Sequence, residues 1–280
     1  MVETRERDLL EKALRDSRRE ARQTHRRVLT GQALLLIVFL VTWSFVSGRW
    51  VDELFLSDPW SVAQAFWGNL VGGSLWYHLQ YTLSEMFLGY MWGVGAGLLA
   101  AALVSSLPWG EPILRPFALA GLATPKIALA PVIIVWFGIG VFPKVLLAAS
   151  MVFFIVYFNT LAGIASVGPG LVSTMRVMNA SRATLLIKAI LPGASPFIMM
   201  SLRITLPAAL IGAIIGELMS SNRGVGYLIS AASARYNTAE AFAGIFTLLI
   251  FVLLLSSLLS VAERHLFRWR PSKKGLLSSG

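Results

Sequence analysis

The 280-residue sequence has no cysteine. Disulfides, thiolate metal sites and cysteine nucleophiles are therefore excluded. Its three histidines, His25, His78 and His265, are far apart, which argues against a histidine metal centre, and no metal site is expected. Charged residues make up only 14% of the chain. No Gly-x4-Gly-Lys-Ser/Thr loop is present, so the chain itself has no means of cradling a nucleotide phosphate. Neither His-Glu-x-x-His nor any nucleophile–base pair is visible, which leaves an intramembrane enzyme without its chemistry. The net charge of +10 is not a nucleic-acid signal, because no basic surface is interleaved with aromatics that would stack on bases.

Apolar residues are what the chain has in excess: 56% of the sequence and a mean hydropathy of +0.70. Several runs reach the roughly 18–20 residues that cross a bilayer. Six spans are predicted, at 29–46, 77–104, 117–137, 145–164, 196–218 and 241–262, making an all-α polytopic membrane protein. A polar arm, 1–28, precedes them without a small-residue cleavage site, so no cleaved signal peptide is expected. A basic tail, 263–280, follows. With the N-terminus inside, 18 Lys/Arg fall on inner segments and four, Arg49, Lys144, Arg223 and Arg235, on outer ones. The positive-inside rule then places both termini in the cytoplasm.

The arm mixes six acids with nine bases. Acid–base spacings such as Glu11–Arg15 favour a helix there, which either anchors on anionic headgroups or contacts a partner. Asp58–Pro59 signals a helix start in an outer segment. With Trp50, Trp60, Trp67 and Trp76 nearby, this reads as an interfacial helix that anchors in the membrane or docks a partner. Gly89, Gly93 and Gly97 form one small-residue stripe, and Ala208, Gly212, Gly216 and Ser220 another. Such stripes let helices approach closely, inside the subunit or at a dimer seam. Pro125, Pro131 and Pro207 are expected to break the third and fifth spans, beside a pathway or as plain kinks.

Residues 173–192 are a polar, basic island in this apolar chain. Ser173 or Thr174 is expected to cap a short amphipathic helix. Asn179 suits a left-handed turn, and Pro192 is expected to block the helix before the next span. A structured helix on the inner side is a grip for an external motor, which points to a transport subunit driven from outside itself.

Four stretches carry a family resemblance: Ser57-Asp-Pro-Trp-Ser-Val; Pro125-Lys-Ile-Ala-Leu-Ala-Pro131 running into Trp136-Phe-Gly-Ile-Gly140; residues 173–192; and Glu217 with Arg223-Gly-Val-Gly-Tyr227. Over about 50–270 the chain resembles the permease of binding-protein-dependent ABC importers, in the nitrate, sulfonate and taurine branch. In that family the cytoplasmic segment reads Glu-Ala-Ala, three residues, Gly, nine residues, Ile, one residue, Leu-Pro. Here Ser173, Thr174, Met175, Asn179 and Ala189 stand at positions whose identities are lost, while Leu191 and Pro192 match. The resemblance implies a type I importer fold within 29–262 and a cytoplasmic coupling helix at 173–188. It makes Arg176, Arg182 and Lys188, with Ala180 in the turn, candidate contacts to an ATPase. It also implies two ABC ATPase subunits that use ATP and Mg, an extracytoplasmic solute-binding protein, a second permease copy, and residence in a bacterial inner membrane. This chain is expected to hold no cofactor.

Four charges fall inside predicted spans. Lys126, between Pro125 and Pro131, either meets freed carbonyls or lines the pathway, because a cation there needs a partner or water. Arg203 either snorkels or lines the pathway. Glu217 is either a gate latch bonded to backbone N–H groups or an interfacial acid. Glu85 has no partner that the sequence identifies. The favoured function is an ABC importer permease for a small anion such as nitrate, a sulfonate, taurine or a carboxylate, with a neutral heterocycle open. The alternative, an ion-coupled secondary transporter, would want a mid-membrane acid, and only Glu85 approximates one.

Overall fold

The computed structural model describes residues 2–266, in two units, residues 1–64 and 65–280. In the first unit, α1 (Val2–Val46) joins the charged arm and the first span in one helix. Gly48, at φ +74°, turns the chain after it. The turn is tied by the Ser47 hydroxyl donating to the Leu56 carbonyl at 2.6 Å and the Trp43 indole donating to the Ser57 carbonyl at 2.9 Å. Asp58 then caps α2 (Pro59–Val71) as expected, accepting from the N–H groups of Trp60 and Ser61 at 2.9 and 3.2 Å. Hydrogen bonds from Ser61 above all, with help from the Trp60 N–H, hold the Asp58 carboxyl below its usual pKa.

The second unit continues with α3 (Ser74–Ser106), α4 (Gly110–Ala123), α5 (Lys126–Phe137) and α6 (Val141–Ala165). After these come α7 (Pro169–Val177), α8 (Arg182–Leu185), α9 (Leu191–Ser220), α10 (Val225–Ala234) and α11 (Thr238–Leu266). Among the described residues five helices are long and apolar enough to cross a membrane, or six if the bent pair α4 and α5 counts as one span. That pair is bent by 91°. The break falls where Pro125 lacks an N–H and its ring forces Thr124 into extended backbone, at ψ 127°. Pro131 and Pro207 do not break anything; each lies inside a continuous helix. Nor does Pro192 stop the chain. A wide π-turn at Leu186–Ile190 lets the helix run from α8 through the proline into α9.

The core is centred on α6, whose Leu147, Ala148, Val152 and Val156 are fully buried. Glycines let two helices close onto it. A Cβ on Gly93 would lie 2.6 Å from Val152 Cβ and 2.7 Å from the Ala149 carbonyl. The pairs Gly89–Ala148, Gly93–Val152 and Gly97–Val156 advance together along α3 and α6, so these two helices run parallel in constant register. From the other side Gly212 meets Ala148 and Gly216 meets Lys144, in the opposite sense, so α9 runs antiparallel. The stripes on α3 and α9 thus serve packing inside the subunit.

Candidate functional site

The α3–α6 register has one more rung. One turn before Gly89 stands Glu85, and one turn before Ala148 stands Lys144, the same 59 residues apart. Their side chains meet at 2.7 Å and are 2% and 6% exposed. The Lys144 ammonium also donates to the Ser221 hydroxyl at 2.8 Å, just past the end of α9. Glu85 therefore has a partner, and Lys144 is a buried residue of α6 rather than an outer-loop charge. Its missed role could have been suspected from its place one turn ahead of an apolar stripe at four-residue spacing.

Beside this pair Glu217, 1% exposed, makes the second half of a clasp. One oxygen accepts from the Thr82 hydroxyl and the other from the Gly226 N–H, each at 2.7 Å. Thr82 in turn accepts from the Val225 N–H at 2.8 Å. These bonds satisfy N-terminal donors of α10, which a helix start otherwise leaves orphaned. A Cβ on Gly224, at φ +100°, would land on the Glu217 carboxylate, so only glycine fits there. The Gly224 N–H donates to His78 Nδ1 at 3.1 Å, and the Arg223 guanidinium to the Tyr81 hydroxyl at 3.1 Å. The loop 221–226 is thereby fastened to α3, α6 and α9 at once. Within this cluster of described residues one buried oxygen has no hydrogen bond, Glu85 Oε2. Glu217 thus bonds one backbone N–H, that of Gly226, and one hydroxyl, that of Thr82. The arrangement holds a loop; it offers no nucleophile, and among the described residues no His/Cys/Asp/Glu group could hold a metal.

The other predicted residues are elsewhere. Lys126 donates to the Gly121 and Leu122 carbonyls at the end of α4 and sits 5.0 Å over the Phe154 ring. It meets freed carbonyls at the end of α4. Arg203 is exposed on α9.

Ser173 and Thr174 are not caps. The helix starts four residues earlier, at Pro169, and their hydroxyls donate back to the Pro169 and Gly170 carbonyls at 2.8 and 2.9 Å. The expected 173–188 helix is in fact two. Asn179, at φ +59°, closes α7, with its N–H on the Arg176 carbonyl at 2.9 Å and the Ala180 N–H on the Met175 carbonyl at 3.0 Å. This is a Schellman end, with asparagine in the usual glycine place. Ser181, which the sequence reading passed over, caps the next helix through the Thr184 N–H at 3.2 Å. Arg182 opens α8 and Lys188 lies exposed in the π-turn. Arg176, Val177 and Met178 are exposed as well, the last two at 88% and 76%. The clasp and the α7–α8 element stand at opposite ends of α9, whose 30 residues span about 45 Å at 1.5 Å each.

Across residues 93–270 the chain matches the family described as the binding-protein-dependent transport system inner membrane component. It is 34% identical to the aliphatic sulfonates transport permease protein SsuC of Bacillus subtilis (strain 168), over 86% of this chain and 88% of that protein. It is also 34% identical to the riboflavin transport system permease protein RibX of Chloroflexus aurantiacus, over 85% and 88%. The crystal structure of an amino acid ABC transporter with histidines superposes with a TM-score of 0.53 at 20% identity, over 77% of this chain and 99% of that one. That likeness extends the type I importer permease fold to this chain.

Proposed function

The chain belongs to the family of inner membrane components of binding-protein-dependent transport systems, and on that premise we propose how it works and what it carries. It is the permease of an ABC importer for small solutes, not an enzyme; ATP hydrolysis belongs to a separate subunit. We infer a homodimer, with both termini cytoplasmic and two ATPases, using ATP and Mg, seated on the α7–α8 element. A solute-binding protein would deliver to the opposite end.

One observation carries the coupling assignment: α7 and α8 are joined by a fully bonded Schellman turn, and α8 continues without a break into α9. A push on exposed Arg176, Val177 and Met178 is therefore passed to a transmembrane helix rather than absorbed by a slack loop. Arg182 and Lys188 add positive charge to the same short segment. Closure of the ATPases on ATP would shift the permease between two discrete arrangements, and hydrolysis would reset it. The ion-coupled reading loses its acid, because Glu85 is held by Lys144.

For substrate we propose a small organic oxyanion of the sulfonate kind, supported by the name of the Bacillus subtilis relative; the riboflavin relative is the reason for an open test. Purified importer carrying its binding protein, analysed by mass spectrometry for retained ligand, decides between them. Coupling is tested separately. Asn179→Pro forces φ to about −65° and should abolish solute-stimulated ATPase activity while insertion persists. Asn179→Gly, which accepts the left-handed turn, should keep it. Wild-type stimulation in the proline variant would remove the coupling assignment.

A further inference from the structure

Next to the clasp lies a cavity of about 510 Å³, walled by the last turns of α9, the residues that follow it and one side of α10, with Ile139 from the α5–α6 turn. Its size is that of small-molecule sites, roughly 300–1,000 Å³. On the long helices of this unit most hydroxyls, those of Ser150, Thr205 and Thr247 among them, bond back to their own carbonyls, which satisfies them locally without any ligand; Thr160 on α6 is buried without a partner. The cavity departs from that habit. The Ser230 hydroxyl, the Tyr227 phenol and the Asn222 amide line it and make no hydrogen bond inside the chain. Each can donate. The one carboxylate in the wall, Glu217, has both oxygens already occupied by Thr82 and Gly226. Apolar Ile139, Leu218 and Ala231 share the lining with Ser220 and Ser221, whose hydroxyls donate to the Gly216 and Arg223 carbonyls.

We propose that this cavity is a resting site for the transported solute, taking a small molecule with an oxyanion head on the donors of Asn222, Tyr227 and Ser230 and a short apolar tail against Ile139, Leu218 and Ala231. The inference rests on the permease reading above and names the site and ligand class within it. Neutral donors suit a transporter. They solvate an oxyanion without the tight hold of a buried counter-cation, and a conducting site must release what it binds.

This chain has no cysteine of its own, so wild-type importer treated in the same way is the control for any thiol on the other subunits. Ser230→Cys is the smallest change that places a thiol in the cavity. The complete importer, with ATPases and binding protein, is reconstituted in liposomes and treated with the membrane-impermeant reagent 2-sulfonatoethyl methanethiosulfonate. The Cys thiolate attacks the sulfenyl sulfur, forming a mixed disulfide and releasing methanesulfinate. Modification should lower ethanesulfonate uptake by Ser230→Cys at least about tenfold below that of the same variant left unmodified. Saturating ethanesulfonate should slow modification by about threefold or more, and Ser230→Ala should raise the uptake KM severalfold with kcat kept. Three results overturn the proposal: modification that leaves uptake intact, a thiol that another subunit shields in the assembled importer, or no protection by ethanesulfonate that is being transported. Wild-type liposomes whose ATPase responds to binding protein but which take up no ethanesulfonate would overturn the ligand class alone. Failure of the ATPases to bind the chain at all would sink the permease reading and this site with it.

Discussion

Replacing Lys144 by methionine removes an ammonium 2.7 Å from Glu85 and 2.8 Å from Ser221 while keeping much of the side-chain volume. At that separation two unit charges attract by about 6 kcal/mol at an effective dielectric of about 20. Much of this is offset by the cost of taking both ions out of water. Removing one partner lifts only the attraction. Glu85 Oε1 then loses its donor, and Oε2 has none to begin with, so a buried carboxylate is left with nothing to balance it. A loss of about 3–5 kcal/mol is expected for Lys144→Met, with a similar or smaller loss for Glu85→Met. The double variant, Glu85→Met with Lys144→Met, removes both charges and should cost no more than about 1–2 kcal/mol, because paired ions and apolar isosteres are close to balanced. Reversible unfolding in mixed micelles, followed by the fluorescence of the nine tryptophans, measures all four corners of the cycle. If the double variant loses the sum of the single losses within about 0.5 kcal/mol, the two residues do not interact and the clasp argument is refuted.

The glycine register makes a paired forecast: Gly93→Leu should cost about 1–3 kcal/mol or prevent folding, whereas Gly95→Ala, which meets nothing within 4 Å, should unfold within about 0.5 kcal/mol of wild type. Gly224→Ala places a Cβ on the Glu217 carboxylate at a left-handed backbone position, so proteolysis between α9 and α10 should accelerate severalfold; unchanged cleavage would count against the clasp. Asp58→Ala should cost about 1 kcal/mol through the lost cap of α2. Because the folded Asp58 pKa is depressed from 3.8, its stabilisation is present above that value and lost as pH falls through the folded pKa; Asp58→Asn, which caps without titrating, should not show the loss.

Asn179 and Asp58 show how far local chemistry could be read. Each acts on its own neighbours within a few residues, and both do in the structure what the sequence suggests. Ser173 and Thr174 show the limit even at short range. Two hydroxyls at plausible cap positions lost to Pro169, because a proline at the first helical position starts a helix more firmly than a serine four residues later. Pro192 and Pro207 failed as breakers because packing on α6 and a π-turn absorb what a missing N–H costs.

Composition, hydropathy and the four motif stretches by themselves determined a polytopic helical permease, since a bilayer admits few ways to satisfy a backbone and long apolar runs declare them. The partner of Glu85, the burial of Lys144 and the pinning of loop 221–226 were decided only by tertiary structure. They depend on which turn of α3 faces which turn of α6 and α9, a register set by glycines packing against another helix, and no periodicity within a single helix carries that information.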